Sequence, residues 1–132
     1  MGIVYTKFLL RNPLLPHLAV EVDAVPDSGS VHLCIPEAVR AKLQLEVIAD
    51  KEVTLADSSL SKVPYAGPIE LRFKNRVGFT GAVVLGDEVL IGAIPMEDMD
   101  LVIVQRAGML DVNPASPDMP RSMVKQTEAS YG

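Results

Sequence analysis

Asp27, Ser28 and Gly29 are the place in this chain where residue types and spacing set up a carboxylate for chemistry. Upstream, Leu18-Ala19-Val20-Glu21-Val22-Asp23-Ala24-Val25 alternates apolar with polar, putting Val20, Val22 and Ala24 on one face of a half-buried strand. Downstream, Val31-His32-Leu33-Cys34-Ile35 alternates again. The acid therefore sits in a turn between two core strands. A carboxylate held there beside a second one shares a proton with it, because two like charges so close cannot both ionise easily. Only one such triplet occurs, so the second acid must come from another copy of the chain. The bland alternative is a surface turn, which all three residue types favour. With Gly at ~7% of residues, a D-[ST]-G triplet arises by chance in roughly one chain in twenty of this length.

Other combinations are poorer. His17 and His32 with Cys34 offer a His-x-Cys pair but no second ligand pair for a metal. Ser28 with a histidine lacks any nucleophile-elbow sequence. Glu97-Asp98-Met99-Asp100 reads as a solvated helix face before it reads as a cation site. Cys34 lies in an apolar stretch and reads as a buried, inert thiol. Gly2 with Thr6 matches an N-terminal acylation pattern, but Ile3-Val4-Tyr5 reads more simply as the start of a strand.

The chain has 132 residues, the length of one domain, and 48% of them are hydrophobic, enough for a core. With 5% aromatic residues and no Trp, that core must be built from Val, Leu, Ile, Ala and Met. A net charge of −5 argues against a nucleic-acid partner, which needs a cationic footprint. A lone cysteine excludes an internal disulfide and suits a reducing compartment, so a cytoplasmic protein is expected. Arg11-Asn12-Pro13 cuts the early apolar run well short of a signal or membrane segment, so no membrane partner is expected.

Many short strands with little helix predict a small all-β barrel. Strands are expected over Ile3–Leu10, on both sides of Asp27, over Ile69–Phe73, Val77–Leu85, Glu88–Gly92, Leu101–Val104 and Met109–Val112. Pro36 and Pro95 are expected to open short helices, with Val39 and Leu43 on one face of the first. Glu52–Leu55 and Lys62–Tyr65 read as a hairpin across the small polar tip Asp57–Ser61, peripheral because Pro64 would be awkward in a central strand. From Asn113 on, Pro114, Pro117 and Pro120 interleave with polar residues, so 1–113 is expected to be the domain and 114–132 a disordered tail.

The order of apolar strand, Asp27-Ser28-Gly29, short helix, hairpin, then Leu90-Ile91-Gly92 and another short helix resembles the retropepsin-like aspartic proteases. Leu90 to Ile103, Leu33-Cys34-Ile35-Pro36-Glu37 and Val53-Thr54-Leu55-Ala56-Asp57 look like a bacterial, cellular branch of that family. The resemblance covers roughly residues 3–113 and implies a closed acid-protease barrel working as a homodimeric aspartic-type endopeptidase. It implies Asp27 as the catalytic carboxylate, Ser28 and Gly29 as support in its loop, and Leu90, Ile91 and Gly92 as the segment threading beside it. Asp57, Ser58, Ser59, Leu60 and Ser61 would be the tip of a flap over a peptide or protein substrate, and no metal or cofactor is called for. Two positions depart from the pattern: Pro26 where the family has an aliphatic residue, and Asp57-Ser58-Ser59 where the bacterial branch carries Asp-Gly. They leave a second reading, a dimerisation or peptide-binding module of the same fold with catalysis weak or lost.

Overall fold

Among the described residues nine strands and two six-residue helices follow one another as β1 (Thr6–Arg11), β2 (Ala19–Pro26), β3 (Leu33–Ile35), α1 (Glu37–Lys42), β4 (Glu46–Thr54), β5 (Leu60–Phe73), β6 (Arg76–Val84), β7 (Val89–Ile91), α2 (Ala93–Asp98), β8 (Leu101–Val104) and β9 (Met109–Val112). The computed structural model describes residues 4–125. Gly2 of the acylation pattern, Ile3 of the expected first strand and 126–132 of the expected tail lie outside them. Pairing in the order β1-β2-β7-β3-β6-β5 returns through β5 to β1, so six strands close a barrel and β4 hangs from β5 as an edge. This is the small all-β barrel with two short helices that the strand pattern predicts. Its core is aliphatic, with Leu10, Leu33, Ile35, Leu43, Ile69, Leu71 and Ile91 fully buried and Phe8 stacked on Phe73.

β4 begins six residues earlier than the sequence predicts. It pairs with β5 alone, and Glu46 to Asp50 are all exposed, so no buried face imposes the alternation that reveals a strand. β5 runs through 14 residues, serving first the hairpin and then the barrel wall. Pro64 sits opposite Asp50 in β4, while pairing with β6 begins only at Tyr65, so its missing N–H leaves no gap in the barrel ladder. α2 starts two residues before Pro95 because its first amides have partners outside the helix.

Part of the expected tail packs on the barrel. Among the described residues beyond Asn113 there is no helix or strand, yet Ser116 is 4% exposed and held from two sides. A guanidinium nitrogen of the fully buried Arg76 donates to the Ser116 carbonyl, and Asn75 donates to the carbonyls of Pro117 and Asp118. Asp100 accepts from the Ser116 hydroxyl, Asn113 Nδ2 and the Arg121 amide. A strap from 113 to 121 thus closes over Arg76. Its order comes from polar demand rather than apolar burial, which is why its composition reads as disorder.

Candidate active site

β2 ends at Pro26, which lies in parallel register with Ile91 of β7. The proline leaves the next tie intact: the Asp27 amide donates to the Ile91 carbonyl at 2.9 Å. Beyond it the chain turns tightly, with the Ser30 amide on the Asp27 carbonyl at 3.1 Å. Each carboxylate oxygen of Asp27 has a donor inside the loop. Oδ1 accepts from the Gly29 amide at 3.1 Å and Oδ2 from the Ser30 hydroxyl at 2.8 Å. Asp27 is half-buried, and Ser28 and Gly29 are exposed.

Leu90-Ile91-Gly92 passes against this loop. Ile91 is fully buried, Leu90 pairs with Cys34 of β3, and Gly92 is wedged so tightly that a Cβ would stand 2.3 Å from the His32 carbonyl oxygen. The segment then enters α2, whose first amides serve the loop: Ala93 donates to the Ser30 carbonyl at 2.8 Å and Ile94 to the Val31 carbonyl at 2.9 Å. Third in the helix comes Pro95, which has no N–H to satisfy. Helix and loop therefore hold each other, and the loop that carries Asp27 has little freedom to move.

The hairpin tip is Leu55 to Ser59, closed by the Leu55 amide on the Ser59 carbonyl at 2.8 Å. Leu60 and Ser61, expected in the tip, are strand residues paired with Thr54 and Val53. Asp57 accepts from the Ser59 hydroxyl and amide, and these bonds hold its carboxyl below the usual carboxylate range. Ser58 takes up φ 69°, the left-handed conformation that Gly adopts freely, so the turn survives without one. Beneath the hairpin lies a cleft of about 360 Å³, walled by Gly29 to His32 on one side, Glu52 to Leu55 on another, and Cys34, Val83 and Leu85 at the floor. Asp27 stands beside this lining, bonded to two residues that form it. Of the expected residues Gly29 lines this cleft and Asp27 borders it, while Leu90–Gly92 and Asp57–Ser61 are not among its lining residues.

Ser30, which the sequence reading passes over, and His32, weighed there only as a metal ligand, both line the cleft. Ser30 follows the triplet directly, and a hydroxyl one residue beyond a D-[ST]-G turn was the available signal. Burial, then Lys51, pushes the His32 imidazole below its ordinary pKa. Burial, then the Asp27 charge, pushes the Cys34 thiol up, in keeping with an inert side chain. Among the described residues no cluster of three or more His, Cys, Asp or Glu is placed to hold a metal ion, and no helix is long and apolar enough to cross a membrane.

No family model matches this sequence, and no curated protein matches it. Among solved structures the chain is similar to a foamy viral protease-reverse transcriptase in complex with an RNA/DNA hybrid, at a TM-score of 0.46 and 17% identity. The match covers 70% of this chain and 11% of that one, so the chain spans about a tenth of the viral protein's length.

Proposed function

We propose that this chain is an aspartic-type endopeptidase of retropepsin-like design, built as a two-fold homodimer in which Asp27 faces Asp27 of a second copy. One observation carries the reading: a carboxylate on a loop pinned by the Ile91 carbonyl and the wedged Gly92 stands beside a cleft roofed by a β-hairpin. In the paired state one carboxylate takes a proton from a bound water while its protonated partner polarises the peptide carbonyl. Gly29 and Ser30 hold the acid's orientation, Ser28 is free to brace the two loops, and the Leu55–Ser59 tip closes over the peptide to exclude water. The chemistry needs no metal or cofactor. Residues 4–121 act as one domain, with the strap as part of it, and the single buried thiol suits the cytoplasm.

The test is cleavage of a peptide library between acid and neutral pH, with Asp27→Asn as control. A singly protonated pair gives a bell-shaped pH profile whose two apparent pKa values belong to the pair. Undiminished activity in Asp27→Asn refutes the assignment. Peptide binding by a folded dimer with no cleavage at any pH supports the binding module instead.

A further inference from the structure

The cleft has two unlike regions. Its floor is aliphatic: Cys34 and Val83 are buried there, with Val53, Leu85 and Leu90 packed against them. The Cys34 thiol stays uncharged at neutral pH and behaves as a small apolar group. Beside the lining residue His32, toward the base of the hairpin, the surface changes character. The Tyr65 ring packs close against Gly81, where a Cβ would meet the ring at 2.2 Å. That ring carries a cation on top, with Lys51 Nζ 4.5 Å from its centroid, and meets the edge of His32 at 5.9 Å between centroids.

Lys51 and His32 both lack a partner that their chemistry asks for. Among the described residues no carboxylate lies within 4.0 Å of Lys51. His32 Nδ1 is buried with no hydrogen-bond partner, so a proton placed there is unsatisfied and the neutral ring keeps its proton on Nε2. The cleft thus offers the His32 imidazole N–H from its own lining and, beside it across the Tyr65 ring, the Lys51 ammonium, both donors. Glu52 also borders the cleft, but along β4 Lys51 and Val53 are half-buried while Glu52 and Thr54 are exposed, so its carboxylate belongs to the opposite face.

We propose that this cleft selects peptide segments that seat an aliphatic side chain on the Cys34–Val83 floor and direct a neighbouring carboxylate side chain, Asp or Glu, to Lys51 and His32. The inference rests on the cleft being the peptide site proposed above. The net charge of −5 repels acidic peptides as a whole, so a preference for them must arise from a local corner of this kind.

The experiment uses the full chain and one peptide series with a fixed Leu and Glu, Gln or Lys at each neighbouring position. Cleavage is read as kcat/KM, and binding of the same peptides is read on Asp27→Asn. Glu is expected to exceed Lys by about fivefold in both readouts, the yield of one partly screened ion pair. Lys51→Glu should reverse the order and Lys51→Arg should keep it, with circular dichroism showing both folded. A wild-type preference for Lys overturns the proposal, as does an order unchanged in folded Lys51→Glu; Lys51→Gln serves if that variant does not fold. Selective binding without cleavage supports the selectivity and refutes the peptidase. Cleavage indifferent to charge refutes the selectivity alone, and failure to bind or cleave any peptide refutes both.

Discussion

Gly92→Ala tests whether the loop carrying Asp27 is held by contact. Gly92 has φ −90°, a conformation any residue adopts, so the substitution carries no backbone strain. By restricting the unfolded chain, alanine would on its own stabilise the fold by about 0.4–1 kcal/mol. Against this, the new Cβ would stand 2.3 Å from the His32 carbonyl oxygen and 2.8 Å from both the Ser30 oxygen and the Val31 carbonyl carbon. All three are backbone atoms. Two of those peptides also accept the first amides of α2, so the loop cannot retreat without breaking those bonds. Overpacking that cannot relax costs about 3 kcal/mol, the upper end of the usual range. The contact wins, leaving a net loss of about 2 kcal/mol, a fall in Tm of roughly 8 °C for a chain of this size. Thermal unfolding followed by circular dichroism reads this directly. Gly86→Ala is the control, because its φ of 77° strains alanine while nothing lies within 4 Å of the added carbon, and the cost there is about 1 kcal/mol. If Gly92→Ala melts no lower than Gly86→Ala, the wedge does not exist.

Truncation after Asn113 removes the Ser116 carbonyl from the fully buried Arg76 guanidinium and should cost about 1.5–3 kcal/mol, the range for a hydrogen bond to a charged group. An unchanged melting temperature would show that the strap is not held. Asp100, bonded by the Ser116 hydroxyl, then Asn113 and the Arg121 amide, has its pKa lowered from 3.8 to about 2. A depressed carboxyl stabilises the fold above its unfolded pKa and loses that contribution as pH falls through the folded one. The Arg121 amide should therefore stay protected from exchange at about pH 3 and lose protection near pH 2, and loss already at about pH 4 contradicts the hub.

Much of the barrel was legible because most of its strands have one wet and one dry face. Val20, Val22 and Ala24 are spaced as a strand must space them, and Leu101–Val104 and Met109–Val112 appear with the expected ends. What escaped lacks that asymmetry. The first half of β4 has no dry face at all, so its pairing with β5 leaves no periodic trace. The strap escaped for the opposite reason: its order depends on Arg76, 40 residues away in sequence, whose charge reads as surface until its burial is seen. Within the candidate site the triplet and the Leu90-Ile91-Gly92 segment were visible as local words. The meeting of Lys51, Tyr65 and His32 was not, because it joins three separate strands and loops across the fold.

The continuity of β5 has a mechanical consequence. From Glu70 to Arg72 it is paired with both β1 and β6, whereas from Leu60 to Pro64 its only strand partner is β4, with Val63 packed on Cys34 and Val83. The hairpin is therefore a cantilever rooted in the wall rather than a loop hung between two posts. The register shift with β6 between Ala66 and Ile69 lies at the root, where the ladder is interrupted and bending meets least resistance. An arm of six residues at ~3.3 Å each reaches about 20 Å, so a tilt of ~10° at the root sweeps the tip through about 3.5 Å. The same tilt carries Lys51 and Val53 with it, since they ride on the paired strand. In the proposed peptidase, such a tilt would move the roof and the residues proposed to recognise the peptide as one body.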